Sequence, residues 1–230
     1  MTISGLQKLT LLDFPGKVAC TVFTAGCNLR CPFCHNAELV EPGQAPAPVD
    51  EEAFFALLAK RKGVLDGVCV TGGEPLFQPG LPAFLERVKA LGYAVKLDTN
   101  GFFPERLKEL VRAGLVDRVA MDVKNSREGY AETAGVPNLD LSPLEETVAF
   151  LRAGRLPFEF RTTVVREFHD GESFRSIGAW LAGDEPYFLQ HFEDSGMLLE
   201  EGLHGCERGE MERFRQILLP CLPNTELRGV

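Results

Sequence analysis

Basic residues are in short supply in this 230-residue chain: 24 Lys and Arg stand against 33 Asp and Glu, a formal net charge of −9. That balance argues against a nucleic-acid surface or an anionic membrane as partner. Long apolar runs are missing too, and the longest uncharged stretches fall far short of a bilayer span. The opening MTISGLQKLTLLDFPG has no basic region followed by an apolar one. No secretory signal is read there, and the expected compartment is the cytoplasm. Seven cysteines, an odd number clustered in sequence, do not make a secreted disulfide framework. No linker or low-complexity segment divides the chain, and EPGQAPAP at 41–48 reads as a surface loop. Residues 1–230 are therefore expected to form one domain. With 45% apolar and 25% charged residues, the composition is ordinary and the chain is long enough to bury a full core.

Two kinds of segment alternate along the chain. Short runs rich in branched or aromatic residues recur at 18–24 (VACTVFT), 67–71 (GVCVT), 94–98 (AVKLD), 118–123 (RVAMDV), 158–165 (FEFRTTVV) and 187–192 (YFLQHF). Their near-continuous apolarity suits strands buried on both faces. Between them lie segments of helical period. DEEAFFALLAKRKG offers Asp50 as N-cap and Gly63 as stop, and FPERLKELVRAG places Pro104 at a first helical position. SPLEETVAFLRAG opens with Ser142 and Glu145 in capping-box spacing, and SFRSIGAWLAG and RGEMERFRQILLP supply two later helices. About six such alternations predict an α/β fold, a parallel sheet with outer helices. An open doubly wound sheet and a partial (β/α)6 barrel both satisfy the pattern. The chain falls short of the roughly 250 residues of a closed eight-stranded barrel, so the partial barrel, open on one side, is the expectation.

In either architecture ligands gather at the carboxyl ends of the strands. Four such ends carry unusual polar residues: three cysteines after the first strand, TGGEP (71–75) after the second, DTNG (98–101) after the third and MDVK (121–124) at the fourth. The cysteines, in AGCNLRCPFCHN, are Cys27, Cys31 and Cys34, followed at once by His35. Thiolates suit zinc, copper(I) and iron–sulfur clusters. Structural zinc would want a closed tetrahedron, with His35 as fourth ligand beside Cys34, and adjacent residues seldom turn toward one metal. A redox dithiol at Cys31 and Cys34 would leave Cys27 without a role. A [4Fe–4S] cluster with one iron lacking a protein ligand accounts for both the missing fourth ligand and the polar rim.

The C-x-x-x-C-x-φ-C pattern with Phe33 as its aromatic, followed by TGGEP at the next strand end, resembles the radical S-adenosylmethionine (SAM) superfamily. LLDFPGKVACTVFTAGCNLRCPFCHN goes further and is similar to the activating enzymes of glycyl radical enzymes, above all to activating proteins of anaerobic ribonucleoside-triphosphate reductase. The likeness is dense over about residues 5–124. It implies one [4Fe–4S] cluster on Cys27, Cys31 and Cys34, with SAM bound at the open iron. It further implies that Phe33 and His35 lie along the adenine and that Gly72 and Gly73 admit the methionyl part without a Cβ in the way. Glu74 would accept from the SAM ammonium group. Thr99, Asp122 and Lys124 would address the ribose, the carboxylate or a bound monovalent cation, and His191 would contact SAM from the sixth strand end. Arg161 is equally a ligand contact or an ordinary ion pair.

The implied reaction is reductive cleavage of SAM to a 5′-deoxyadenosyl radical, which takes hydrogen from a glycine of the partner enzyme. The implied electron donor is reduced flavodoxin or ferredoxin. Two alternatives stand beside it: a radical SAM enzyme acting on a small molecule, such as a 7-carboxy-7-deazaguanine synthase, and a non-enzymatic zinc module. Cys20 and Cys69 read as small buried groups within strands. Cys206 and Cys221, fifteen positions apart, lack ligand spacing, and the 37 residues between Cys34 and Gly72 hold only Cys69, so a ferredoxin-like insert is absent.

Overall fold

Continuous apolar runs supply the central strands, and amphipathic segments supply the helices that cover them. The computed structural model describes residues 1–230 except 42, 44 and 195. In chain order the strands are β1 (Ile3–Thr10), β2 (Ala19–Thr24), β3 (Gly67–Gly72), β4 (Ala94–Thr99), β5 (Arg118–Asp122), β6 (Phe158–Val164), β7 (Tyr187–His191) and β8 (Thr225–Arg228). The helices are α1 (Ala37–Val40), α2 (Glu51–Lys60), α3 (Leu81–Ala90), α4 (Pro104–Arg112), α5 (Tyr130–Thr133), α6 (Ser142–Ala153), α7 (Gly171–Trp180) and α8 (Arg208–Leu218), with a 3₁₀ turn at Pro75–Phe77. The strands belong to one sheet in the order β1 to β8, and β1 and β8 do not pair with each other. The fold is thus α/β with a mostly parallel sheet that does not close, as the sequence predicts.

One feature departs from that expectation. β1 runs antiparallel to β2, with Leu6 opposite Val22 and a register shift on either side of that pair. The expected loop at 41–48 includes residues 42 and 44, which lie outside the described residues.

The chain divides into two units that alternate in sequence: Met1–Asn28, Glu38–Ala120 and Ser142–Pro157 in the first, Leu29–Ala37, Met121–Leu141 and Phe158–Val230 in the second. In the first unit β2, β3 and β4 are parallel neighbours, with Thr24 opposite Gly72 and Val70 opposite Leu97. The apolar faces of α2 and α3 meet through Phe54, Phe55 and Phe84, the rings of Phe54 and Phe84 stacking at 5.4 Å. Asp50 caps α2 as expected, accepting from the backbone N–H groups of Glu52 and Ala53. In the second unit β6, β7 and β8 run parallel, Val164 opposite His191. There α7 and α8 pack through Phe174 and Phe214, whose centroids lie 4.6 Å apart. Among the described residues no helix is long and apolar enough to cross a membrane.

Candidate functional site

The chain leaving β2 turns at Gly26, where the Gly26 N–H donates to the Leu39 carbonyl at 2.6 Å and the Cys27 N–H to Val40 at 3.2 Å. Main-chain bonds to α1 thus set the position of Cys27, whatever the intervening side chains. Asp13, from the LLDFPG segment, accepts from the Thr21 hydroxyl on β2. The chain leaving β3 lies directly against this turn: Gly73 N–H donates to Thr24 O and Glu74 N–H to Gly26 O, each at 2.8 Å. That proximity is what demands two glycines. A Cβ on Gly73 would sit 2.3 Å from Gly26 O, and one on Gly72 would sit 2.2 Å from Thr24 N, at φ +120°. Within this unit the glycines serve the approach of one backbone to another.

Glu74 is fully buried. Its Oε1 accepts from Leu76 N–H at 3.0 Å and from the Thr99 hydroxyl at 2.9 Å, and its Oε2 from Asn100 N–H at 2.7 Å. One carboxylate therefore holds the end of β3 to the end of β4. Asn100 in turn donates to Asn28 Oδ1 at 2.8 Å and to Cys27 Sγ at 3.7 Å. The sequence reading passed over Asn100, although it lies within the quoted DTNG. Cys69 is buried on β3, as expected, and donates to Asp98 Oδ1, which also pairs with the buried Lys96.

The second unit carries the rest. Cys34 N–H donates to Cys31 O at 3.0 Å, forming a tight turn between the two thiols, and the segment is tied down by Arg30 N–H to Ala134 O and Glu200 N–H to Pro32 O. Phe33 is buried against Phe168 and Phe192, with centroids at 5.9 and 6.4 Å, and the His35 ring stacks on Phe192 at 5.2 Å. Burial holds the His35 imidazole below its ordinary pKa against the pull of the Glu193 backbone, so the ring is neutral at pH 7. Asp122 ends β5 and accepts from Lys124 at 3.0 Å on Oδ2 and from Arg161 Nε and Nη2 at 2.9 and 2.8 Å on Oδ1. Arg161 is thus an ion-pair partner of Asp122.

Burial alone would push the Asp122 carboxyl up, but Arg161 and Lys124 outweigh it and hold it at about 2. Lys124 is raised despite burial, because Asp122 and the Cys31 thiol face it. Burial pushes the Cys31 thiol up to about 11 and that of Cys34 up as well, while Lys124 draws both down. A largely buried ammonium whose charge is felt by two thiols favours their ionised form whenever a metal takes the protons' place.

His191 ends β7 and borders a cleft of about 480 Å³ with Phe192, Glu193, Asp194, Gly205 and Cys206. Its buried Nδ1 has no hydrogen-bond partner among the described residues. Sequence reasoning also missed His169, a buried imidazole on the Val165 backbone and the Lys124 carbonyl. All seven cysteines are free thiols. Among the described residues no group of three or more His, Cys, Asp and Glu side chains is gathered as a single-ion site. The donor chemistry fits an iron–sulfur cluster: three soft thiols within eight positions, one buried and two partly buried, none of them in a disulfide.

Residues 21–175, more than half of the chain, match the family described as the radical SAM superfamily. The chain belongs to that superfamily and is a radical SAM enzyme, which sets aside the zinc module. The family implies a [4Fe–4S] cluster and SAM. The chain is 29% identical to a Methanocaldococcus jannaschii protein named "Putative glycyl-radical enzyme activating enzyme", over 99% of this chain and 96% of that one. It is also 29% identical to the GTP 3′,8-cyclase of Streptomyces coelicolor, over 94% of this chain but 64% of the cyclase. The 7-carboxy-7-deazaguanine synthase of Methanopyrus kandleri is 29% identical over 82% of this chain and 79% of its own. In fold the chain is similar to the crystal structure of Streptococcus suis SuiB bound to S-adenosylmethionine, with a TM-score of 0.70 at 11% identity, over 90% of this chain and 49% of that one.

Proposed function

We propose that this chain is a glycyl-radical-enzyme activating enzyme whose partner is an anaerobic ribonucleoside-triphosphate reductase. The observation that carries the reading is the end-to-end match to the Methanocaldococcus protein, 99% of one chain against 96% of the other. The LLDFPG and CNLRCPFCHN segments give the same direction. Cys27, Cys31 and Cys34 would hold the cluster, which supplies the electron that cleaves bound SAM to methionine and a 5′-deoxyadenosyl radical. Gly72, Gly73, Glu74 and Thr99 would shape the first unit's part of the SAM site. Phe33, His35, Asp122, Lys124 and His191 would supply the second unit's part. Glu74 and Thr99 act there through the loop geometry they fix, since the Glu74 carboxylate already accepts three hydrogen bonds. The unpartnered Nδ1 of His191 is the free polar atom best suited to a ligand. A monovalent cation beside SAM, reduced flavodoxin or ferredoxin as donor, the cytoplasm as compartment and action of residues 1–230 as one functional domain complete the reading.

Anaerobic, reconstituted protein with reductant and SAM should cleave SAM slowly alone. Adding the reductase should yield a protein-bound glycyl radical, seen as a doublet by electron paramagnetic resonance (EPR). Rapid turnover of a small molecule without a glycyl signal would instead favour a carbon-skeleton enzyme, the reading supported by the match over most of the Methanopyrus synthase.

A further inference from the structure

One side-chain amide in the first unit is held at every polar atom, and one of its ends meets sulfur. Asn100 follows β4 and is 6% exposed. Its backbone N–H donates to Glu74 Oε2 at 2.7 Å, and its Oδ1 accepts from Phe102 N–H at 3.1 Å. A side-chain atom that accepts from a backbone N–H must be the oxygen, so the other end of the amide is the NH2 group, a donor only. That end donates to Asn28 Oδ1 at 2.8 Å and to Cys27 Sγ at 3.7 Å. Glu74 thereby fixes the backbone from which a donor is aimed at a thiol.

We infer that Asn100 is a positioning residue for Cys27, and that its amide donates to the ligand sulfur and raises the reduction potential of the cluster. The inference rests on the cluster reading above. Hydrogen bonds to cluster sulfurs favour the more negative, reduced form, because the added electron density falls partly on sulfur. A donor here eases the entry of the one electron that SAM cleavage requires. Its hydrogen-bond partners are Glu74, Asn28, Phe102 and Cys27, so the effect argued here reaches the chemistry through Cys27.

The test uses protein made by cell-free synthesis with ¹⁵N at the asparagine side chains alone, reconstituted and reduced anaerobically. Pulsed EPR of the wild type should show a weak ¹⁵N coupling to the cluster spin, and Asn100→Asp should lose it. Asn100→Asp keeps the oxygen that serves Phe102 and replaces the donor by a second oxygen. Its iron content should match wild type while its midpoint potential falls by on the order of tenfold in the reduction equilibrium, about 59 mV for one electron. No ¹⁵N coupling in the wild type, or an iron-replete Asn100→Asp with unchanged potential, overturns the inference. Should the variant fail to hold iron, the wild-type coupling decides alone. Wild-type protein that binds no iron would bring down the cluster reading, and this inference with it.

Discussion

Gly73 is the position at which a single methyl group should do the most damage. An added Cβ would lie 2.3 Å from the Gly26 carbonyl oxygen and 2.8 Å from its carbon, and both are backbone atoms that no rotamer change can move aside. Restoring ordinary contact requires the two loops to part by roughly 1 Å, an overpacking that costs about 1–3 kcal/mol. The same parting stretches the 2.8 Å bond from Glu74 N–H to Gly26 O, worth roughly another 1 kcal/mol. At about 2–4 °C per kcal/mol for a chain of this size, Gly73→Ala should lower the melting temperature by roughly 4–16 °C. Because Gly26 precedes Cys27, the variant should also reconstitute with less iron. Gly209→Ala in α8 meets nothing within 4 Å and is expected to be neutral or slightly stabilising. Far-UV circular dichroism melts and iron analysis of both variants, prepared anaerobically, make the comparison. A Gly73→Ala protein that melts and loads iron like Gly209→Ala would refute the claim that these two loops are in backbone contact.

Replacing any of Cys27, Cys31 or Cys34 by Ala should abolish iron binding and SAM cleavage, whereas Cys20→Ala and Cys206→Ala should retain both; full SAM cleavage by Cys31→Ala would remove the ligand assignment. Asp122→Asn should cost about 2–3 kcal/mol in urea unfolding at pH 7, because Arg161 and Lys124 lose a counter-charge that is only partly shielded from solvent. The Asp122 carboxyl lies near 2 in the folded chain, below its ordinary value, so its ionisation stabilises the fold above about pH 4. The stability difference between wild type and Asp122→Asn should therefore shrink by roughly 2 kcal/mol as pH falls from about 4 toward 2. A difference that stays constant over that range would mean the Asp122 carboxyl is not depressed.

The six buried strands were legible because runs such as VACTVF and FEFRTTVV leave little alternative to burial on both faces. β1, ISGLQKLT, was not: three consecutive exposed residues, Gln7, Lys8 and Leu9, blur any period of two, and its pairing depends on β2 across a bulge. β8 is four residues long and mostly polar, and its place comes from its register with β7. α3 begins within PGLP, at Leu81, where two prolines and a glycine read as a turn although Pro82 fits a helix start. Residue types singled out the cysteines and the glycines, but the packing of Gly72 and Gly73 against the Thr24 and Gly26 backbone could not be read from them. The partners of Glu74 could not be read, since a carboxylate that links β3 to β4 is a product of long-range pairing. Asp122 and Lys124 were singled out, but their closure into an ion pair with Arg161, 39 positions on from Asp122, needed the sheet.

The alternation of the two units along the chain has a consequence for synthesis. The first unit is complete once residue 157 has been made, whereas the second still lacks everything from Phe158 onward. Cys27 belongs to the first and Cys31 and Cys34 to the second, only four and seven residues later. A nascent chain therefore carries its three neighbouring thiols for most of translation before the strands and helices that flank two of them exist. Loading of the cluster proposed above would then follow synthesis of the second unit. Until that moment the cysteines depend on the reducing conditions around the ribosome to remain thiols.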